Sequence, residues 1–359
     1  MATPGSATLA SPGGARARCE AGATDGITGG ATDGAPGAHM TPAQTAPAGI
    51  EGTAAAATQP PERLRGYLEV GLASLANGSI GVMVTYADMP ATMLLCLRMA
   101  FAAAALGGVV LATGSWRDLR TPGAPIRMLG ISVALALNLI LYFLAIRYTG
   151  VAVAIFLSYL APVYLAFIAP LILKEKTEPI VYAALAVGLS GMALILVPGL
   201  LLEGVKLSPA GLSCALGAGA MYAVYLLFAK SLRGLHVRST AVVFTQSVFT
   251  AAVMLAPGLL AVSAAQYQYA GVDLLMAALL GLLTTAFSFS LFMHGLHYIR
   301  VQHAGIIAYV EPVSAPLYAL VLLGQRPSVW TIAGGALIVA AGILVVLYAR
   351  GEPELEPLG

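Results

Sequence analysis

Ala308 to Gly324 reads AYVEPVSAPLYALVLLG. The run is long and apolar enough to cross most of a bilayer, yet Glu311, Pro312 and Pro316 stand near its middle. A lone carboxylate at membrane depth costs roughly 2.5–3.5 kcal/mol on insertion scales, so it faces a partner or a wet cavity. Proline at that depth frees backbone carbonyls that neighbouring groups must satisfy. A second stretch, Ser158 to Lys174, SYLAPVYLAFIAPLILK, lies 150 residues earlier. Two related, proline-broken spans in the two halves of one chain point to a binding site between them.

Composition agrees with a membrane setting. The 359 residues are 59% hydrophobic and only 9% charged, with a mean hydropathy of +0.87. Soluble domains carry about 25% charged residues, so there is too little polar surface here to cover a globule in water. No basic stripe interleaved with aromatics is present, which argues against a nucleic-acid partner. Cys19, Cys96 and Cys214 are scattered and form no disulfide framework or CxxC site.

Residues 1–62 are rich in Ala, Gly, Thr and Pro and contain the tandem ATDGITGG–ATDGAPGA. Such a segment buries too little apolar surface to offset its ordering entropy and is expected to be a disordered, low-complexity tail. From Tyr67 onward the chain changes to apolar runs of the length that about 30 Å of hydrocarbon requires. Ten are expected, at approximately 66–86, 91–112, 127–146, 151–173, 179–198, 209–230, 240–262, 273–293, 302–323 and 329–348. Residues 351–359 form a short C-terminal tail. With the N-terminus inside, the inner connections hold twelve Lys and Arg residues and the outer ones three, Arg147, Lys206 and Arg326. That bias places both termini in the cytoplasm of a multi-pass cell-membrane protein.

A shift of 150 superimposes Tyr148, Val151, Ala154, Tyr159, Pro162, Val163, Ala169 and Leu173 on Tyr298, Val301, Ala304, Tyr309, Pro312, Val313, Ala319 and Leu323. Five spans per copy is an odd number, so the second copy enters the membrane in the opposite sense. The expected fold is therefore all-α, ten transmembrane helices in two inverted five-helix repeats, 66–198 and 209–348. That architecture belongs to many secondary transporters.

The residues YTGVAVAIFLSYLAPVYLAFIAPLILKEK, from Tyr148 to Lys176, resemble the fourth-helix signature of the EamA-type drug/metabolite transporters. Pro90 with Arg98, in MPATMLLCLRMAFAAAAL, resembles that family's second helix, and Glu311-Pro312-Val313 its ninth. The resemblance covers about residues 66–348 and implies transport, tilted towards export of amino acids or other metabolites. It also implies a Glu after the fourth and ninth helices. Glu175 keeps the first, whereas Gln325 stands at the second place.

Glu311 is the leading site residue. It can bind a cationic group or take up a proton, or it can pair with Arg98 or cap backbone freed by Pro312. Arg98, about two turns into its span, is placed for an internal ion pair or carbonyl contact, or for an anionic substrate group. Asn77 and Asn138 can bridge helices or line a cavity. Tyr159 and Tyr309, one turn before Pro162 and Pro312, are packing residues or paired cavity walls. Glu69 and Glu175, at cytoplasmic helix ends, are gate or anchor residues. Gly188-Leu189-Ser190-Gly191 matches the GxSG of intramembrane serine proteases, but small residues in a span also serve close helix packing. His294, His297 and His303 read as interfacial histidines, since no carboxylate or thiol spacing supports a metal site. No HExxH or Walker A loop is present, so neither metal nor cofactor is expected. The leading expectation is secondary transport of a small organic solute, with protons as candidate coupling ions and the bilayer as its surroundings. An uncoupled facilitator or exchanger is the alternative, and a Ser190 hydrolase the remote one.

Overall fold

The computed structural model describes residues 61–173, 177–203, 208–232 and 234–348. Both terminal tails (residues 61 and 62 apart) and Glu175 with its lysine neighbours lie outside the described residues. Ten helices are long and apolar enough to span a membrane: α1 (Glu62–Thr85), α2 (Ala91–Ala112), α3 (Ala124–Thr149), α4 (Val153–Ile172), α5 (Pro179–Pro198), α6 (Pro209–Ser231), α7 (Ser239–Ala265), α8 (Gly271–Gly295), α9 (Val301–Leu323) and α10 (Val329–Tyr348). All ten coincide with the spans expected from hydropathy, and no strand occurs among the described residues.

The helices pair in a pattern that follows the repeat. α2 packs on α7, α4 on α9, and α5 on α10, so equivalent helices of the two halves meet. The other close pairs are crossed: α3 lies on α6, and its equivalent α8 lies on α1. Asn138 on α3 donates to the Ala218 carbonyl of α6 at 2.8 Å. Ser288, 150 residues later on α8, sits 2.8 Å from the Ala73 carbonyl of α1. Each third helix is thus pinned to the first helix of the opposite half by a polar side chain at a corresponding place. In hydrocarbon such bonds are worth about 1 kcal/mol each and fix register as much as stability.

Proline sets where the central helices break. A prolyl ring collides with the carbonyl four residues before it and donates no hydrogen bond. In α4 the helix stops at Ser158, four residues before Pro162, and resumes at Ala161. In α9 it stops at Ile307, with Ala308 as its cap four residues before Pro312, and resumes at Val310. α1 breaks as well, between Asn77 and Ile80. There α9 comes so close that a Cβ on Gly78 would run into the Ser314 side chain and lie 2.9 Å from the Ala315 amide nitrogen. α8 carries a wide, π-type stretch at Leu280–Phe287.

The α5–α10 pair shows what the small residues of the fifth span do. A Cβ on Gly191 or on Gly334 would run into the other glycine's carbonyl oxygen, so both must be glycine for the backbones to touch. Ser190 donates to the Ala186 carbonyl of its own helix at 2.8 Å and is exposed on the outer surface. The GxSG stretch is packing.

Gly334→Val should overpack this seam and cost about 1–3 kcal/mol, measured as a lower melting temperature in detergent. Gly342→Ala, on the same helix with open space around it, should leave the melting temperature unchanged.

Candidate solute-binding site

The broken helices enclose a cavity of about 590 Å³ that opens on the face opposite to the one carrying residues 62 and 348. Its mouth is formed by the second piece of α1 and the α9–α10 connection, Gln325 to Ser328. Its inner wall holds Asn77, Tyr142, Tyr159, Glu311 and Pro312.

Glu311 owes its setting to the break before it. Restarting the helix at Val310 creates a new N-terminus inside the bundle, and Glu311 lies in that first turn. The unpaired amides and partial positive charge of a helix start favour a carboxylate there. The side chain is deep among protein atoms yet partly exposed into the cavity. It thus lies at the helix start created by the break and lines the cavity.

Arg98 does not form a direct ion pair with Glu311. Its Nε donates to Thr285 Oγ1 at 2.7 Å, and its guanidinium lies 5.9 Å from the Phe289 ring centre. Thr285 reaches it because the π-type stretch of α8 lies against α2, where a Cβ on Gly281 would approach the Arg98 carbonyl at 2.6 Å. The acceptor of Arg98 is thus a hydroxyl, neither the carboxylate nor the carbonyl that the sequence suggested.

The other predicted residues divide between cavity and scaffold. Asn77 lines the cavity, with its Oδ1 2.8 Å from the Ser288 hydroxyl. Asn138 is a helix bridge and does not line the cavity. Tyr159 forms part of the wall, whereas Tyr309 is fully buried beneath it and donates its hydroxyl to the Tyr159 carbonyl at 2.8 Å. Their rings lie 6.0 Å apart. Related by sequence, the two tyrosines differ in use: one is wall and the other foundation. Pro162 is buried where α4 meets Gly305 of α9, and Pro312 lines the cavity.

The opposite face is closed below Tyr309. Every residue from Val301 to Tyr309 is buried. Tyr67 and His303 Nδ1 meet at 3.0 Å, joining α1 to α9. Glu69 bridges Arg65 at 2.7 Å and His294 at 2.6 Å, joining α1 to α8. Arg300 pairs with Glu178 at 2.7 Å, and Lys230 donates to the Leu296 and Ile299 carbonyls. Glu69 is a buried cross-link between α1 and α8, and His303 is a core residue, not an interfacial one.

Sequence reasoning counted Lys230 and Arg300 only as positive charges. It also missed Tyr142, which lines the cavity although no proline or repeat partner marks it. A third omission is Asp273 on the mouth side, which accepts from the Asp88 and Ala270 amides at 2.9 and 3.1 Å and from the Tyr267 hydroxyl. That hydroxyl's bond to the carboxylate pushes the Tyr267 phenol up to about 12.

The model of the EamA-like transporter family matches residues 64–197 and again 209–348. This chain belongs to that family. It is a multi-pass membrane transporter and not an enzyme. An uncharacterized transporter of Archaeoglobus fulgidus is 32% identical over 228 residues, 63% of this chain and 78% of the relative. The threonine/homoserine exporter RhtA of Escherichia coli K12 is 24% identical over 293 residues, 81% of this chain and 94% of the relative. A solved crystal structure shares the fold at a TM-score of 0.68 and 22% identity, covering 80% of this chain and 99% of the other.

Thr285→Val should leave the Arg98 guanidinium without its acceptor and cost about 1.5–3 kcal/mol, seen as a lower melting temperature in detergent. Thr284→Val, which removes only a bond to the Leu280 carbonyl of its own helix, should cost less than half as much.

Proposed function

We propose that this transporter exports a small organic solute bearing an ammonium group, an amino acid being the leading case, by alternating access. One observation carries the reading: the cavity's deep carboxylate, Glu311, sits beside Tyr142 and Tyr159 at a half-helix start. A carboxylate ringed by aromatic faces favours an organic cation, through charge and through the ring quadrupoles. A cavity of about 590 Å³ lies in the range of small-molecule sites, about 300–1,000 Å³. Asn77, whose side-chain amide makes one contact with the Ser288 hydroxyl at 2.8 Å, keeps the rest of its hydrogen-bonding capacity for a solute hydroxyl or carboxylate. The similarity to a threonine/homoserine exporter supports the same solute class.

In this reading the protein lies in the cell membrane with both termini in the cytoplasm, and the cavity faces outward. The buried first half of α9, together with the cross-links of α1 to α9 and α8 and of the α8–α9 connection to α6 and to the start of α5, forms the inner gate. Opening inward requires breaking the Tyr67–His303 and Glu69–His294 contacts while the outer mouth closes, an exchange the two repeats are built to perform. No nucleotide-binding motif is present, so a gradient drives transport. Glu311 is placed to exchange the solute's ammonium for a proton, since it holds one cationic group or one proton but not both. Proton uptake on the outside would then release solute there.

Proteoliposome counterflow with labelled threonine, homoserine and a panel of other amino acids and amines tests this directly. Wild type should accumulate at least one of them, with flux that responds to an imposed pH gradient. Glu311→Gln should lower solute binding by more than tenfold, because a hydrogen-bonded charge partner is lost, and should abolish the response to the gradient. No flux across the whole panel would overturn the solute class. A Glu311→Gln variant that keeps its pH response would favour the uncoupled exchanger.

A further inference from the structure

A second cavity, of about 960 Å³, opens on the face that carries the chain ends, between α2, the start of α7 and the end of α8. The solute cavity does not use it, and of its lining residues only His294 also serves the gate, through its contact with Glu69 on the α1 side. Its composition changes with depth. At the level where the three helices end it is lined by Thr113, His236, Arg238, Ser239, His294 and His297. One to two turns deeper the lining becomes Leu106, Val109, Phe287 and Leu291. Val109 and Phe287 are exposed, so the groove opens sideways from the bundle, towards the bilayer, as well as endwise.

Several further observations point to a ligand. One lining side chain, Arg238, is a permanent cation, three are histidines, and none is acidic. The nearby acids are already engaged: Asp118 accepts the Arg238 amide at 3.0 Å, and Glu69 holds His294 from the α1 side. Arg238 is anchored by bonds to the Thr113 carbonyl and the Ser115 hydroxyl, at 2.7 and 2.6 Å, which hold a permanent cation at the rim. Ser239 begins the 27-residue helix Ser239–Ala265, so the unpaired amides of a helix start lie beside that cation. The Ser239 hydroxyl is buried and has no hydrogen-bond partner, and the same is true of the Ser290 hydroxyl farther into the groove. The neighbouring turn Ser115–Arg120 carries Trp116, with the Arg117 and Arg120 guanidinium groups 5.6 and 5.2 Å from its ring centre. Tryptophan flanked by arginines marks the level of the lipid headgroups.

We propose that this groove binds an anionic phospholipid of the leaflet on that face. The phosphate sits against Arg238 and the first turn of α7, hydroxyls of the headgroup or glycerol meet Ser239 and Ser290, and one acyl chain lies between α2 and α8. A soluble anion would satisfy the rim alone and leave the apolar depth unfilled. A neutral or zwitterionic lipid would fill the depth and gain less at the rim. Basic pockets between transmembrane helices select anionic lipids on these grounds.

The test uses the full chain, purified in detergent, stripped of lipid and titrated with phosphatidylglycerol or phosphatidylethanolamine, with retained lipid counted by native mass spectrometry. Phosphatidylglycerol should be retained in preference and should raise the melting temperature. Arg238→Gln should lower its retention roughly fivefold, the scale of one basic contact at a membrane surface. Because Arg238 also braces its neighbours, two further variants guard the reading. His236→Ala removes an exposed basic side chain, and Ser290→Trp fills the groove while leaving the rim charged; both should also lose retained lipid. Equal retention of the two lipids would overturn the proposal, as would wild-type retention in Ser290→Trp and His236→Ala. Displacement of phosphatidylglycerol by equimolar inorganic phosphate or glycerol phosphate would also overturn it, by making the site one for soluble anions.

Discussion

The steric conflict between a prolyl ring and the carbonyl four residues earlier governs the centre of this molecule. It breaks α4 before Pro162 and α9 before Pro312. Each break places a helix end and a helix start inside the bundle, where lipid cannot satisfy them and protein or cavity water must. The Tyr309 hydroxyl, donated to the Tyr159 carbonyl, satisfies one freed group and ties the two breaks together. The new helix start at Val310 supplies the positive end beside which Glu311 sits. Cavity, carboxylate and the contact between repeats all follow from where two prolines stand.

The scaffold is nearly symmetric and its chemistry is not. Where the second half has Glu311, the first has Ala161. Where Tyr159 faces the cavity, Tyr309 lies beneath it. Under the proposed alternating access, the symmetric pair of breaks would let the two halves exchange shapes, and the single deep carboxylate would give the solute one site presented to either side in turn. The polar cross-links are also unevenly placed. The face bearing the chain ends is held by Glu69, Lys230, Arg300 and His303, all buried, while the mouth side is organised mainly by Asp273.

Much of this was legible in the chain because hydrocarbon thickness and proline sterics act locally. Ten spans of nearly correct extent follow from hydropathy alone, and the repeat follows from the matched Tyr and Pro residues. The depth of Glu311 was legible for the same reason. What Arg98 touches was not, since Thr285 reaches it only through a π-type stretch whose sequence, with Gly281 as its one glycine, does not distinguish it from an ordinary helical span. Asn77 and Asn138 are the same residue type in similar spans, yet one lines the cavity and the other pins α3 to α6. That choice depends on which face of each helix the crossed packing turns inward. Lys230 and Arg300 look like ordinary flanking charges because the carbonyls and carboxylate they hold are distant in sequence.

The claim that the cavity at Glu311 is the solute's path is tested most directly by a thiol at Ala315, on the cavity wall, in a chain with Cys19, Cys96 and Cys214 replaced. The variant in sealed vesicles of known orientation is treated from each side with a membrane-impermeant thiol reagent, with and without transported solute. Labelling should occur from the side of the α9–α10 connection, slow when solute is present, and be weak from the other side at rest. Labelling that is equal from both sides, or that solute leaves unchanged, would contradict the claim.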